Sequence, residues 1–339
     1  MAAARYAPST AGILRQMSGE RDQLPGPPAD DDHPSRLTAE QAAAVAEARA
    51  VSHATRRVVA PALEELLYQP IPVLDKGFVR VIDYMGDDHA IVQAARVSYG
   101  AGTKTVRTDA GLIDYLMRHQ HTSPFEMCDV KLHVKLPVFV ARQWIRHRTA
   151  SVNEYSGRYS EIADTFYEPE PSAIGRQSSL NRQGSAGAIS PEAAERALAA
   201  WREGTAQAYE QYQALLTDQD DAVAREVARI GLPLSHYTEW YWKVNLHNLL
   251  RFLELRMDSH AQYEIRVYAE AIGRIVSAWV PLTWASFLDQ RFGAATISAK
   301  ALAVLRTELA GRDLDLEGAG MSKGDARELR ETLGLKPPG

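Results

Sequence analysis

Val130, Leu132, Val134 and Leu136 alternate with Lys131, His133 and Lys135, and the run ends at Pro137. A period of two puts every apolar side chain on one face, which specifies a strand with one dry and one wet side. Proline's fixed φ suits the first position of a helix, so PVFVARQWIRHR is expected to turn directly into one. Whatever the fold, it must bury Val130 to Leu136 on one side and leave the lysines accessible on the other.

With 45% hydrophobic residues in 339, the chain can build one large domain or two modest ones. Residues 1–36 contain PGPPADDDHPS and read as a flexible arm. A helical extension follows over 37–72, opened by Thr38 with Glu40 and Gln41 behind it. Gly77 to Asp83 alternates as a strand does, and DDHAIVQAARVSYG runs from an acidic start to a glycine as a helix does. GLIDYLMRHQ is amphipathic, and HTSPF interrupts it. YEPEPSAIGRQSSLNRQGSAGAIS is expected to be a long surface loop, followed by a helix from Pro191 to Leu216 capped by Ser190. Trp240 to Trp279 is dense in apolar residues at helical spacing and reads as helix, broken near Met257-Asp258-Ser259. The tail over 293–339 reads as peripheral charged helices.

A net charge of −5 argues against a general nucleic-acid or anionic-membrane binder, so clustered cations point to a small anion. The single cysteine, Cys128, excludes an internal disulfide, suits a reducing cytoplasm and reads as a core residue. No zinc-like Cys/His spacing occurs and no metal is expected. GAGTKT lacks the spacing of a phosphate-binding P-loop, and no GxGxxG is present.

The cations gather in RHRTASVNEYSGRY. On the expected helix, Gln143, Arg146 and His147 stand at i, i+3 and i+4 and share a face, although a helix C-terminus also favours cations without any ligand. After them Ser151, Asn153, Glu154, Ser156 and Arg158 offer hydroxyls and a guanidinium, with Gly157 allowing close approach of backbone to phosphate oxygens. Arg229 precedes Gly231-Leu232-Pro233. Asn245 and Arg256 are separated by about three turns and return to within about 20° of one line if the helix is continuous, with Phe252 between them. An arginine on so apolar a helix requires an anionic or carbonyl partner, either a ligand or a tertiary salt bridge. His121 sits at a helix-to-strand junction, where side chains can project into a cleft.

RHR followed by seven residues and Ser156 resembles the signature of the flavin-dependent thymidylate synthases. HTSPFE, VFVARQWIRHR, RQSSLNRQGS, ARIGLP and LELRMDSHAQYE extend the likeness over roughly 73–292. The resemblance implies an α+β protomer, a mixed sheet with flanking helices, assembled as a homotetramer with intersubunit active sites. It implies reductive methylation of dUMP to dTMP, with methylenetetrahydrofolate as one-carbon donor, FAD as hydride carrier, NADPH as reductant and no cysteine nucleophile. Gln143, Arg146, Glu154, Ser156, Gly157, Arg158, Arg229 and Arg256 would surround dUMP. Ser98, Ser123, Glu126, Arg146, His147, Arg148, Glu154, Asn245, His247 and Arg251 would meet FAD. Arg256 and His121 would be catalytic, Arg256 as the group that activates the uracil. His247 and Arg251 depart from the arginine and asparagine common at those positions, and Met127 from a histidine. An inactive anion-binding or RNA-binding oligomer, with Trp144, Tyr155 and Tyr159 beside the cations, is the competing reading.

Overall fold

A computed structural model describes residues 37–97, 106–177, 185–218 and 220–336. The arm 1–36, Ser98, GAGTKT and most of RQSSLNRQGS lie outside them. The chain divides into two units, 1–292 and 293–339.

The first unit opens with α1 (Ala39–Ala50), whose Thr38 and Gln41 form a capping box, followed by α2 (Pro61–Glu64). Then come β1 (Ile71–Val73), β2 (Gly77–Met85), α3 (Asp88–Arg96) and α4 (Val106–Arg118). β3 (Asp129–Pro137), α5 (Val138–Trp144) and β4 (Ser151–Glu154) carry the motif region. The hairpin β5 (Gly175–Gln177) and β6 (Ser185–Ala188) precedes α6 (Pro191–Thr217) and α7 (Arg225–Ala228). β7 (Tyr237–Asn245), α8 (Leu246–Arg256), α9 (Tyr263–Trp279) and α10 (Pro281–Phe287) complete it. The second unit contains α11 (Ala299–Leu309) and α12 (Lys323–Leu333), with Leu316, Ala326 and Leu335 buried among their neighbours.

The fold is α+β. One antiparallel sheet has strand order β1-β2-β3-β7-β4. β3 behaves as its alternation requires: Val130, Leu132, Val134 and Leu136 are buried, and α9 packs on β1, β2 and α5. On the other face His133 is also buried, held by Arg80 Nε donating to its Nδ1 at 3.0 Å and by Glu239 at 2.9 Å from Nε2. Gly77 is obligatory, because a Cβ there would lie 2.0 Å from the Tyr268 hydroxyl, which donates to the Lys135 carbonyl.

Several expectations need correction. Pro137 ends β3 and caps α5 rather than opening it. Trp240 to Asn245 is strand: Trp240, Trp242 and Val244 are buried at period two while Tyr241 and Lys243 are exposed. Asn245 is therefore the N-cap of α8, not part of a continuous helix reaching Arg256. The expected polar turn after RHR contains β4, and the expected loop before α6 contains a hairpin. Among the described residues no helix is long and apolar enough to cross a membrane.

Candidate active site

Trp144 ends α5 and anchors the motif that follows. Its ring stacks on Phe252 of α8 at 4.6 Å and meets Trp242 edge-on at 5.2 Å. α5 stops there, so Arg146 and His147 are not on the helix proper. They follow in a tighter turn, with Arg146 N–H donating to the Gln143 carbonyl and His147 N–H to that of Trp144. Arg146 and Arg148 are exposed, and neither guanidinium has a hydrogen-bond or ion-pair partner among the described residues.

His147 lies edge-on to Phe252 at 5.0 Å and accepts at Nε2 a hydrogen bond of 3.1 Å from Arg256 Nε. Burial foremost, then Arg256 and Arg251, pushes His147 down to about 4, so it is a neutral acceptor at neutral pH. The anionic or carbonyl partner expected for Arg256 is thus absent among the described residues, and a neutral imidazole stands in its place. Glu254 pairs instead with Arg291 at 3.1 Å.

Beyond the turn, β4 pairs with β7 and carries Glu154, whose Oε1 accepts from the buried Thr238 hydroxyl at 2.8 Å. Gly157 is buried, and a Cβ there would come within 2.9 Å of Ile162 and 3.4 Å of Arg229 Cδ. That packing brings Arg229 to the Ser156-Gly157-Arg158 turn from far along the chain. Arg158 Nε donates to Glu226 at 3.0 Å, an exposed pair worth little by itself. Gln143 donates to Gln262.

The remaining expected residues form a second group. Thr122 donates to Glu126 at 3.2 Å, beside exposed Ser123. His121 is exposed, its ring 5.7 Å from Tyr115. Asn245 Oδ1 caps α8 by accepting from Asn248 N–H at 2.9 Å. His247 is pushed down by burial first, with Glu126 opposing and Arg251 and Arg291 adding to the shift. Cys128 is fully buried, its thiol pushed up to about 12 by burial above all.

Sequence reasoning missed Thr238, Gln262 and Glu226. Thr238 lies in a stretch between ARIGLP and Trp240 to which the sequence pattern assigns no element, whereas Gln262 lies within HAQYE without a stated task. A concavity of about 540 Å³ elsewhere is lined by Arg57, Tyr84, Met85, Met127, Lys131 and Lys243, and by none of the expected contacts. Arg146, Arg148 and Arg229 do not line that hollow. Among the described residues no group of three His, Cys, Asp or Glu is placed to hold a metal ion.

Residues 80–282 match the family described as thymidylate synthase complementing protein. A flavin-dependent thymidylate synthase of Rickettsia bellii is 55% identical over 293 residues, covering 84% of this chain and 100% of the relative. One of Ruegeria pomeroyi is 54% identical over 299 residues, covering 88% and 99%. Among solved structures, a UMP/dUMP methylase, PolB, of Streptomyces cacaoi bound with 5-Br dUMP is similar with a TM-score of 0.58 and 32% identity, covering 64% of this chain and 97% of that one.

Proposed function

The chain belongs to the thymidylate synthase complementing protein family, and from that premise we propose that it is an enzyme methylating dUMP to dTMP. Methylenetetrahydrofolate donates the one-carbon unit and NADPH the reducing equivalents. The observation that carries the reading is the cluster of guanidiniums around residues 146–158, where Arg146, Arg148 and Arg229 lack carboxylate partners among the described residues. Cations left uncompensated beside a close-packed glycine turn suit a phosphorylated substrate.

Arg158, Arg229 and Ser156 would hold the dUMP phosphate, with Gly157 letting the backbone approach. Thr238 keeps the Glu154 carboxylate in place beside them. Arg256 would face the uracil. Because its Nε is engaged by a neutral acceptor, its direction is fixed while its positive charge stays uncompensated, and its terminal amino groups remain available. A positive charge beside the ring favours the ionised N3 form and makes C5 a better nucleophile. The high, buried Cys128 thiol supports a route without a cysteine nucleophile.

The donor set also fits a flavin dinucleotide: Arg146, Arg148 and Arg251 are exposed cations for a diphosphate, with Ser123, Glu126, Asn245 and His247 as polar neighbours. Bound there, FAD would supply the hydride carrier. His121, next to Tyr115, would offer a ring face to a planar group. Asn245 caps the N-terminal end of α8 and Arg256 is its last residue, about 16 Å away along the axis. The homotetramer with intersubunit sites is carried by the family resemblance and goes with this reading. A cytoplasmic location goes with this reading.

The test is a flavin absorption spectrum. Purified protein loaded with FAD should bleach with NADPH and re-oxidise only when methylenetetrahydrofolate and dUMP are both added. A preparation that takes up no FAD, yet binds oligonucleotides tightly and salt-sensitively, overturns the proposal in favour of the RNA-binding reading.

A further inference from the structure

HAQYE runs from the turn after α8 into the first residues of α9, and the chemistry above gives it no task. Gln262, the residue before α9, accepts at Oε1 from Gln143 Nε2 across the fold. Its own Nε2 donates to Glu264 Oε2 at 2.8 Å. The Tyr167 hydroxyl closes the series, donating to Glu264 Oε1 at 3.2 Å. Burial foremost, then Glu264, raises the Tyr167 phenol, which keeps that hydroxyl a donor.

A chain of side-chain amides can run in either direction, because each amide exchanges donor for acceptor by turning over. A carboxylate cannot, since it only accepts. Glu264 therefore sets the polarity. Gln262 must turn its amino group to Glu264, which leaves its carbonyl for Gln143, and Gln143 must turn its amino group to Gln262. The other end of the Gln143 side chain is then its carbonyl oxygen.

We propose that Glu264 and Gln262 are positioning residues that hold Gln143 with Oε1 toward the nucleotide, so that the site selects a ligand offering a hydrogen-bond donor there. The inference rests on the reading that Gln143 lies beside dUMP. Two groups of that ligand can donate, the imide N–H of uracil and the 3′-hydroxyl of the sugar. The two have different consequences: an acceptor on the imide would oppose the ionisation that Arg256 favours, whereas one on the sugar would leave it untouched. Cytosine presents a lone pair where uracil presents its N–H, so dCMP probes the first source. A 2′,3′-dideoxyuridine monophosphate probes the second.

The experiment is calorimetric titration of the FAD-loaded protein with dUMP and both analogues. The unchanged protein should bind one analogue about tenfold more weakly than dUMP or worse, as when a ligand covering an acceptor no longer offers it a donor. In Glu264→Gln the chain can run either way, so that discrimination should shrink by about threefold or more. The double variant Gln262→Glu with Glu264→Gln places the carboxylate one step along; it again accepts from Gln143, and discrimination should return. That rescue is not expected of a change that merely loosens the turn. The proposal is overturned if dUMP is not preferred over either analogue, if Glu264→Gln keeps the full ratio, or if the double variant stays as permissive as the single one. Failure of the enzymatic reading shows separately, as unchanged protein whose reduced flavin does not respond to dUMP and methylenetetrahydrofolate.

Discussion

The two ends of α8 manage charge in opposite ways. At the N-terminal end the chain supplies its own partners: Asn245 caps the helix and Glu126 opposes the cations around His247. At the C-terminal end Arg256 meets only a neutral imidazole, and the nearby Arg146 and Arg148 meet no carboxylate among the described residues. A helix C-terminus tolerates a cation well, which offsets part of the cost of leaving it uncompensated. The lesson is that one end is partly compensated by the protein's own cap and carboxylate, while the other offers Arg256 no carboxylate and keeps its charge for an anionic ligand.

The sharpest way to break this contrast is Arg256→Ala. If the uncompensated charge serves the uracil, dTMP formation should fall by about 10² to 10³-fold. The flavin spectrum should persist, because the N-terminal end of α8 is untouched. Near-normal dTMP formation would show Arg256 to be a helix-end cation and nothing more.

How much of this was legible follows from what each element could advertise. β3 was readable because its partners on both sides are strands and its faces differ, so alternation survives in the sequence. β7 has the same alternation, but no glycine or proline separates it from Leu246, and Trp240 to Leu250 blurs into one apolar run. β4 is short and exposed and pairs only with β7, so it carries no hydrophobic signal at all. The residues proposed to hold the phosphate are legible as a motif. Their supports are not: His147 and Arg256, like Gln143 and Gln262, meet over more than a hundred residues of chain. Local periodicity holds no information about such pairs.

Arg158→Ala sharpens the contrast from a third place, a guanidinium that does have a carboxylate partner. Its pair with Glu226 is exposed, so the stability of the protein should change by less than about 1 kcal/mol. The dUMP dissociation constant should nevertheless rise by about tenfold, more steeply at low salt, because a phosphate competes successfully with a solvated carboxylate. An unchanged dissociation constant in titration would leave Arg158 with only its surface ion pair.

At the capped end, Asn245→Ala should cost about 1 kcal/mol of stability through the lost cap, read as a shift in denaturant midpoint. If Asn245 also serves the flavin, FAD should be released more readily from the variant than from a control with an equally weakened cap elsewhere, such as Ser190→Ala on α6. Equal retention would assign Asn245 to the helix alone.

The smallest effect tests the neutral imidazole itself. His147 sits at about 4 when folded and near 6.5 when unfolded, so between those values the unfolded chain binds the extra proton. Stability therefore rises with pH across that window and is indifferent to this group above it. The half-exposed ring limits the slope to below about 1 kcal/mol per pH unit. His147→Gln keeps an acceptor for Arg256 but cannot take up a proton in this range, so its denaturant midpoint should fall less steeply than that of the unchanged protein from pH 6.5 to 4.5. If both proteins lose stability in parallel, the acid sensitivity belongs to other groups. The argument that a neutral partner preserves the charge on Arg256 would then lose its independent support.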